Sequence, residues 1–155
     1  MTYTIRVALS VTSALQTNLL SSKGHTVVNL RVFLVEDNLT IRISLLDMLT
    51  DLVDAHLVGI AEHEDDAVQW LHNHPDGWDV AIVDIFLKSG SGLPVVSACN
   101  ARSSKQRVLV LTNYATPEIR TQAFDLGADR VFDKSQEVDA LIDYCTEVRL
   151  DLKPH

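Results

Sequence analysis

Five short apolar runs, each ending in polar residues, constrain this chain more than any other feature. They are "LRVFLVED" at 30–37, "AHLVGIAE" at 55–62, "DVAIVD" at 79–84, "RVLVLTN" at 107–113 and "DRVFDKS" at 129–135. Each is short and rich in Val, Ile or Leu, as strands buried on both faces are. Helical patterns fill the gaps between them. Asn38 is placed to cap a helix carrying Ile41, Leu45, Met48, Leu49 and Leu52 on one face. Ala67, Val68 and Leu71 mark a second helix, before the turn-like "NHPDG". Pro94 opens a third after "SGSG". Thr116 and Pro117 read as N-cap and first residue of a fourth, and Gly127 as its stop. Ser135 is placed to cap the last, whose stripe is Val138, Leu141, Tyr144, Cys145 and Val148.

Strands that alternate with helices at this spacing predict an α/β fold of parallel βαβ units, joined by right-handed crossovers and covered on both faces. The chain has 155 residues, 46% of them apolar, which suits one domain with a real core. That domain runs from residue 30 to about 150, with "DLKPH" at 151–155 as a tail. No apolar run approaches the roughly 18 residues of a membrane-spanning helix. The net charge of −8 disfavours general nucleic-acid binding, which depends on clustered Lys and Arg. Cys99 and Cys145 lie far apart and in neither CxxC nor zinc spacing, so they read as reduced thiols of a cytosolic protein.

Residues 1–29 differ from the rest. They hold Arg6, Lys23 and no acid, for a charge of +2, and nine of them are Ser or Thr. They read as a loosely ordered N-terminal extension. "TIRVALSV" as an added strand or helix is one alternative, and a targeting peptide is another. The single Arg and broken apolar run weigh against the targeting peptide.

In an open parallel sheet, ligands bind beyond the carboxyl ends of the strands. Glu36 and Asp37 end the first run, Asp84 the third, Thr112 the fourth and Lys134 the fifth. Taken singly, each has an ordinary reading as a solvated turn residue, a helix cap or a surface charge. Taken together they should crowd one rim. Three close carboxylates raise one another's pKa, and a hard cation among them relieves the repulsion. Oxygen ligands suit Mg²⁺ or Mn²⁺. With Lys134 added, such a site is near neutral and can accept a phosphoryl group on an aspartate oxygen.

These residues resemble the receiver domain of two-component response regulators. The likeness rests on "VEDN" (35–38), "VDIFLKSGSG" (83–92), "LTNYATPE" (111–118) and "GADRVFDKS" (127–135) taken together. It implies a doubly wound, flavodoxin-like five-stranded sheet of order 2-1-3-4-5. It implies Asp84 as phosphoacceptor, Asp37 and Asp84 as metal ligands, Glu36 acting mainly through water, and the backbone carbonyl of Phe86 completing the metal site. Thr112 and Lys134 would hold the phosphoryl group. The donor would be a phosphohistidine on a sensor histidine kinase or a histidine phosphotransfer protein, in the cytoplasm.

The signal would pass from Thr112 to the face made by the fourth helix, the fifth strand and the fifth helix. That face would also carry any phosphorylation-dependent dimer. Only 21 residues follow Lys134, so a stand-alone receiver acting through protein contact or onward phosphotransfer is expected, without nucleic acid or membrane.

Three positions depart from the family. The switch aromatic usually three residues before the lysine is Val131, and its neighbour Phe132 should point to the opposite face. Val131 is expected either to leave a groove on the output face or to pack as an ordinary valine. Ser135 stands where a proline commonly follows the lysine. Asn113 stands where a very small residue is common. Asn113, Phe86 and Tyr114 are expected to flank the pocket and control the phosphoryl lifetime.

Two alternatives stay open. One is a degenerate receiver that binds partners without phosphate. The other is a Mg²⁺-dependent aspartyl phosphohydrolase, which would need an acid where Phe86 stands. A nucleotide-binding module is weaker, since "GSG" at 90–92 lacks the GxGxxG pattern. His72 and His74, two apart, do not suit one helical face for a metal, and Trp70 reads as packing.

Overall fold

The structure is a computed structural model and describes residues 28–152. The readings made for residues 1–27 and 153–155 lie outside the described residues. In chain order the elements are β1 (Leu30–Val35), α1 (Leu39–Val53), β2 (Ala55–Ala61), α2 (Glu64–Asn73) and β3 (Val80–Val83). They continue with α3 (Leu93–Ala98), a 3-10 turn (Cys99–Ala101), β4 (Arg107–Thr112), α4 (Pro117–Asp125), β5 (Arg130–Asp133) and α5 (Val138–Leu150). The five strands form one sheet of order β2-β1-β3-β4-β5, every neighbouring pair parallel. No helix among the described residues is long and apolar enough to cross a membrane.

Period-two alternation divides the core between the two faces of the sheet. Phe33, Val35, Val83, Val110 and Val131 point to one face, where Ala67 and Leu71 of α2, Val95 and Val96 of α3, and Ala123 of α4 meet them. Val32, Leu34, Ile82, Leu111 and Phe132 point to the other, against Leu45, Leu49 and Val53 of α1 and Leu141 and Cys145 of α5. Val131 and Phe132 therefore face opposite ways, as their adjacency in a strand predicts. Cys99 and Cys145 lie in opposite cores as free buried thiols, and burial pushes each up to about 12.

The local signals map closely onto the structure. Asn38 Oδ1 accepts from the Ile41 N–H at 3.0 Å, and Thr116 Oγ1 from the Ile119 N–H at 3.2 Å. Gly127 takes φ 110°, and a Cβ there would sit 2.0 Å from Asn100 Oδ1. Three local expectations are corrected. Ser135 does not cap α5, because its N–H and hydroxyl both bond the Asp133 carboxylate. Leu52 is 64% exposed and Val53 takes the inward position, since both fit the α1 stripe and only the neighbouring helix decides. Two-faced burial holds for β1, β3 and β4, but β2 and β5 are edge strands, β2 half exposed and β5 exposed at Arg130.

β2 also carries an irregularity, since Val32 pairs with Leu57 and Phe33 with Gly59. A Cβ on Gly59 would lie 2.5 Å from the Trp70 indole. The bare glycine lets Trp70 lie flat and stack on Phe33 at 4.1 Å, with its other neighbour His74 at 4.3 Å. Trp70 is thus a packing residue. His74 also bonds the Trp70 carbonyl through Nδ1, at 2.8 Å.

Candidate functional site

The sheet order brings the polar strand ends together. β1 and β3 are neighbours with Val35 opposite Val83, so Glu36 and Asp84 leave the sheet side by side. Backbone bonds extend the pairing past the strands. Asp84 N–H donates to Val35 O at 2.9 Å, and Glu36 N–H to Ala61 O at 3.0 Å. Thr112 lies opposite Asp133, and Lys134 N–H donates to Thr112 O at 2.9 Å, which aims the lysine back across the edge.

Lys134 Nζ donates to Asp84 Oδ2 at 2.8 Å and also to Glu36 Oε1. Glu36 is 2% and Asp84 6% exposed. Asp37, less buried, accepts from the Lys88 N–H through Oδ2 at 2.5 Å. Asp84 Oδ1 accepts from the Phe86 N–H at 3.1 Å. Ligand oxygens of Glu36, Asp37 and Asp84 all lie within 4.8 Å of one another, the one such group found among the described residues. Thr112 is fully buried. Its hydroxyl accepts from the Tyr114 N–H at 3.2 Å.

Burial pushes the Glu36 carboxyl above its ordinary value, and the Asp84 charge adds to this against the lowering effect of Lys134. Burial alone would lower the Lys134 ammonium. Its hydrogen bonds to Asp84 and Glu36 overcome that, and it is held above its ordinary value. The lysine is therefore charged at neutral pH. Three carboxylates still face a single ammonium, for Arg42 is paired with Glu62 and meets Glu36 only at its carbonyl. Oxygen donors, a residual negative charge and a partly open rim fit a hard divalent ion such as Mg²⁺.

The turn after Asp84 answers to packing. Gly92 N–H donates to Ile85 O at 2.8 Å, and Phe86 bridges Ser91 in an antiparallel pair. A Cβ on Gly92 would lie 2.1 Å from the Asp84 carbonyl oxygen, so only glycine fits. Glu64 at the start of α2 braces this turn, accepting from Ser91 N–H at 2.8 Å and donating its own N–H to Ser89 O at 3.3 Å. Glu64 is not legible in the sequence, because the contact spans 27 residues and no local pattern announces it. Over the rim, Phe86 and Tyr114 meet edge to face with centroids 5.0 Å apart. They are 48% and 61% exposed, and Asn113 beside them is exposed too. The sequence placed these residues near the pocket, and their pairing comes from the fold.

A doubly wound sheet with a buried aspartate, two further acids and a lysine at its carboxyl edge defines the class. The model of the response regulator receiver domain matches residues 32–146. This chain belongs to that family. Solved structures agree on the fold. The receiver domain of the response regulator NarL from Mycobacterium tuberculosis superposes with a TM-score of 0.68 at 22% identity, covering 80% of this chain and 98% of that one. The response regulator domain of CheB from Thermotoga maritima gives 0.67 at 20% identity, covering 82% and 100%. A response regulator from Burkholderia pseudomallei, solved with a phosphorylated aspartic acid, calcium ion and citrate, gives 0.64 at 23%, covering 79% and 72%. A search of curated proteins finds no match.

Proposed function

We propose that the chain is a phosphorylation-dependent signalling switch that takes a phosphoryl group on Asp84 from a phosphohistidine. The observation that carries this reading is the buried Asp84 carboxylate, held at 2.8 Å by Lys134 and within 4.8 Å of the ligand oxygens of Glu36 and Asp37. An Asp84 oxygen attacks phosphorus in line. The P–N bond breaks with its electron pair leaving on the donor imidazole, and an acyl phosphate forms. Lys134 offsets negative charge on the phosphoryl oxygens, and the Thr112 hydroxyl donates to one of them. Asp37, Asp84 and the Phe86 carbonyl would hold Mg²⁺ or Mn²⁺, with Glu36 acting through water. The ion's chemistry is further charge neutralisation at the same oxygens.

The aspartate is consumed and regenerated in its own chain, so this is a switch rather than an enzyme with a separate substrate. The donor is a sensor histidine kinase or a histidine phosphotransfer protein in the cytoplasm. The readout is protein contact on the α4–β5–α5 face, where a phosphorylation-dependent dimer would also form. Neither nucleic acid nor membrane enters.

The test is Mg²⁺-dependent labelling by a small phosphodonor, comparing wild type with Asp84→Asn. Base-labile label that hydroxylamine removes, on the wild type alone, supports the reading. Label on both proteins would sink the Asp84 assignment. Equal partner affinity with and without a phosphoryl mimic would favour a phosphate-independent module. Turnover of a phosphate ester would revive the phosphohydrolase.

A further inference from the structure

Arg120 has its donors spent on three separate segments. Its Nε donates to Ala115 O at 3.1 Å, in the loop between β4 and α4. Its Nη1 donates to Val131 O at 2.9 Å, in β5. Its Nη2 donates to Glu137 Oε1 at 2.7 Å, at the start of α5. Glu137 Oε1 also accepts from the Asp133 N–H at 3.1 Å, directly before Lys134. The guanidinium is planar and rigid, so its donors cannot adjust independently. Displacing Ala115 by about 1 Å would take its bond to Arg120 outside hydrogen-bonding range.

The loop that ends at Ala115 begins at the site, where the Tyr114 N–H is bonded to the Thr112 hydroxyl at 3.2 Å. If that hydroxyl turns to a phosphoryl oxygen, the Tyr114 N–H loses its partner and the loop is released to move. Val131 itself is a buried valine in the core and offers no side chain to carry the change outward. Arg120 and Glu137 are each about one-third exposed, so a partner can touch them.

We propose that Arg120 is the positioning residue that couples the β4–α4 loop to β5 and the start of α5, setting the shape of the α4–β5–α5 face by holding or releasing Ala115, Val131 and Glu137. The inference rests on Asp84 being the phosphoacceptor. In the resting state the three bonds lock the face. In the loaded state the Ala115 bond is lost, the fork turns, and the Glu137–Asp133 contact reorganises with it.

The test uses the whole chain with Mg²⁺ and beryllofluoride as the phosphoryl mimic. Fluorine NMR reports loading, and amide hydrogen exchange reports residues 113–116 and 133–140 separately. In the wild type, loading should change exchange in both segments. Arg120→Ala should load within about threefold of the wild-type affinity and keep the change at 113–116, while its response at 133–140 falls at least about threefold. Arg120→Lys keeps the charge and stem but not the fork, so it should lose most of that response too. It also carries the test if the alanine variant does not fold. A wild-type response at 133–140 in Arg120→Lys would overturn the inference and leave the phosphoacceptor reading intact. Failure of the wild type to load, or equal loading of Asp84→Asn, would overturn both.

Discussion

Replacing Lys134 by Met tests the electrostatics of the site most directly. Methionine keeps the length of the side chain and removes the ammonium. Glu36 and Asp84, with side chains 3% and 7% exposed, then face each other without the cation that both contact. Removing one partner from a buried ion pair costs about 3–5 kcal/mol. Proton uptake limits the loss. At pH 7, protonating a carboxyl of ordinary value 4.5 costs about 3.4 kcal/mol, at about 1.36 kcal/mol per pH unit. A deficit of about 3 kcal/mol is therefore expected. With an unfolding entropy of about 2.1 cal/mol/K per residue over residues 28–152, that lowers Tm by about 11 °C.

The sign of the pH dependence follows from Glu36, whose carboxyl burial already holds above its ordinary value and which loses the lowering effect of Lys134 in the variant. A group raised in the folded state stabilises fully below its unfolded value, and that stability is lost as pH rises through the folded value. The variant's deficit should thus shrink on acidification from about pH 7 to about pH 5. Mg²⁺ should shrink it as well, since the acids without their ammonium bind the ion more tightly than in wild type, and each tenfold difference in Kd is worth about 1.4 kcal/mol at saturation. Circular-dichroism melts at both pH values, with and without Mg²⁺, measure all of this. A Tm within about 2 °C of wild type would refute the electrostatic account. So would a deficit indifferent to both pH and Mg²⁺, which would trace the loss to packing of the lysine stem.

Further expectations concern the turn, the rim and the ion. Gly92→Ala drives a Cβ to 2.1 Å from the Asp84 carbonyl, which backbone alone must absorb. A loss of at least about 2 kcal/mol in urea melts, with weakened phosphoryl labelling, is expected. Phe86→Asn with Asn113→Ala removes half of the aromatic rim and opens the pocket to water. Dephosphorylation should quicken at least about threefold, and an unchanged rate would reject the rim as the control on phosphoryl lifetime. Mg²⁺ affinity should weaken on acidification at a pH above the ordinary carboxylate range, because burial holds the Glu36 proton. Calorimetric titrations across that range measure it, and the Glu36→Gln variant should lose the dependence.

Local signals were sufficient for the strands and for three helix ends. The five Val/Ile/Leu runs became the five strands, and Asn38, Thr116 and Gly127 bound their helices as their side chains dictate. Elsewhere a neighbour chooses between two locally equal options. Leu52 and Val53 both fit the inward stripe of α1, and β2 looks like an inner strand until its place at the sheet edge is known. Ser135 has the chemistry of a cap, but an acid two residues earlier captured both its donors.

The site divides in the same way. Strand-end position alone singled out Glu36, Asp37, Asp84, Thr112 and Lys134, because parallel strands deliver all their carboxyl ends to one edge. Which of them touch was decided by strand order, which seats β3 between β1 and β4 and lets Lys134 reach both Glu36 and Asp84. Glu64 against Ser91, and Arg120 against Ala115, Val131 and Glu137, follow no sequence period. Periodicity records which side of an element is apolar. Hydrogen bonds between distant segments depend on how those elements are stacked, and that is settled only when the whole sheet closes its two cores.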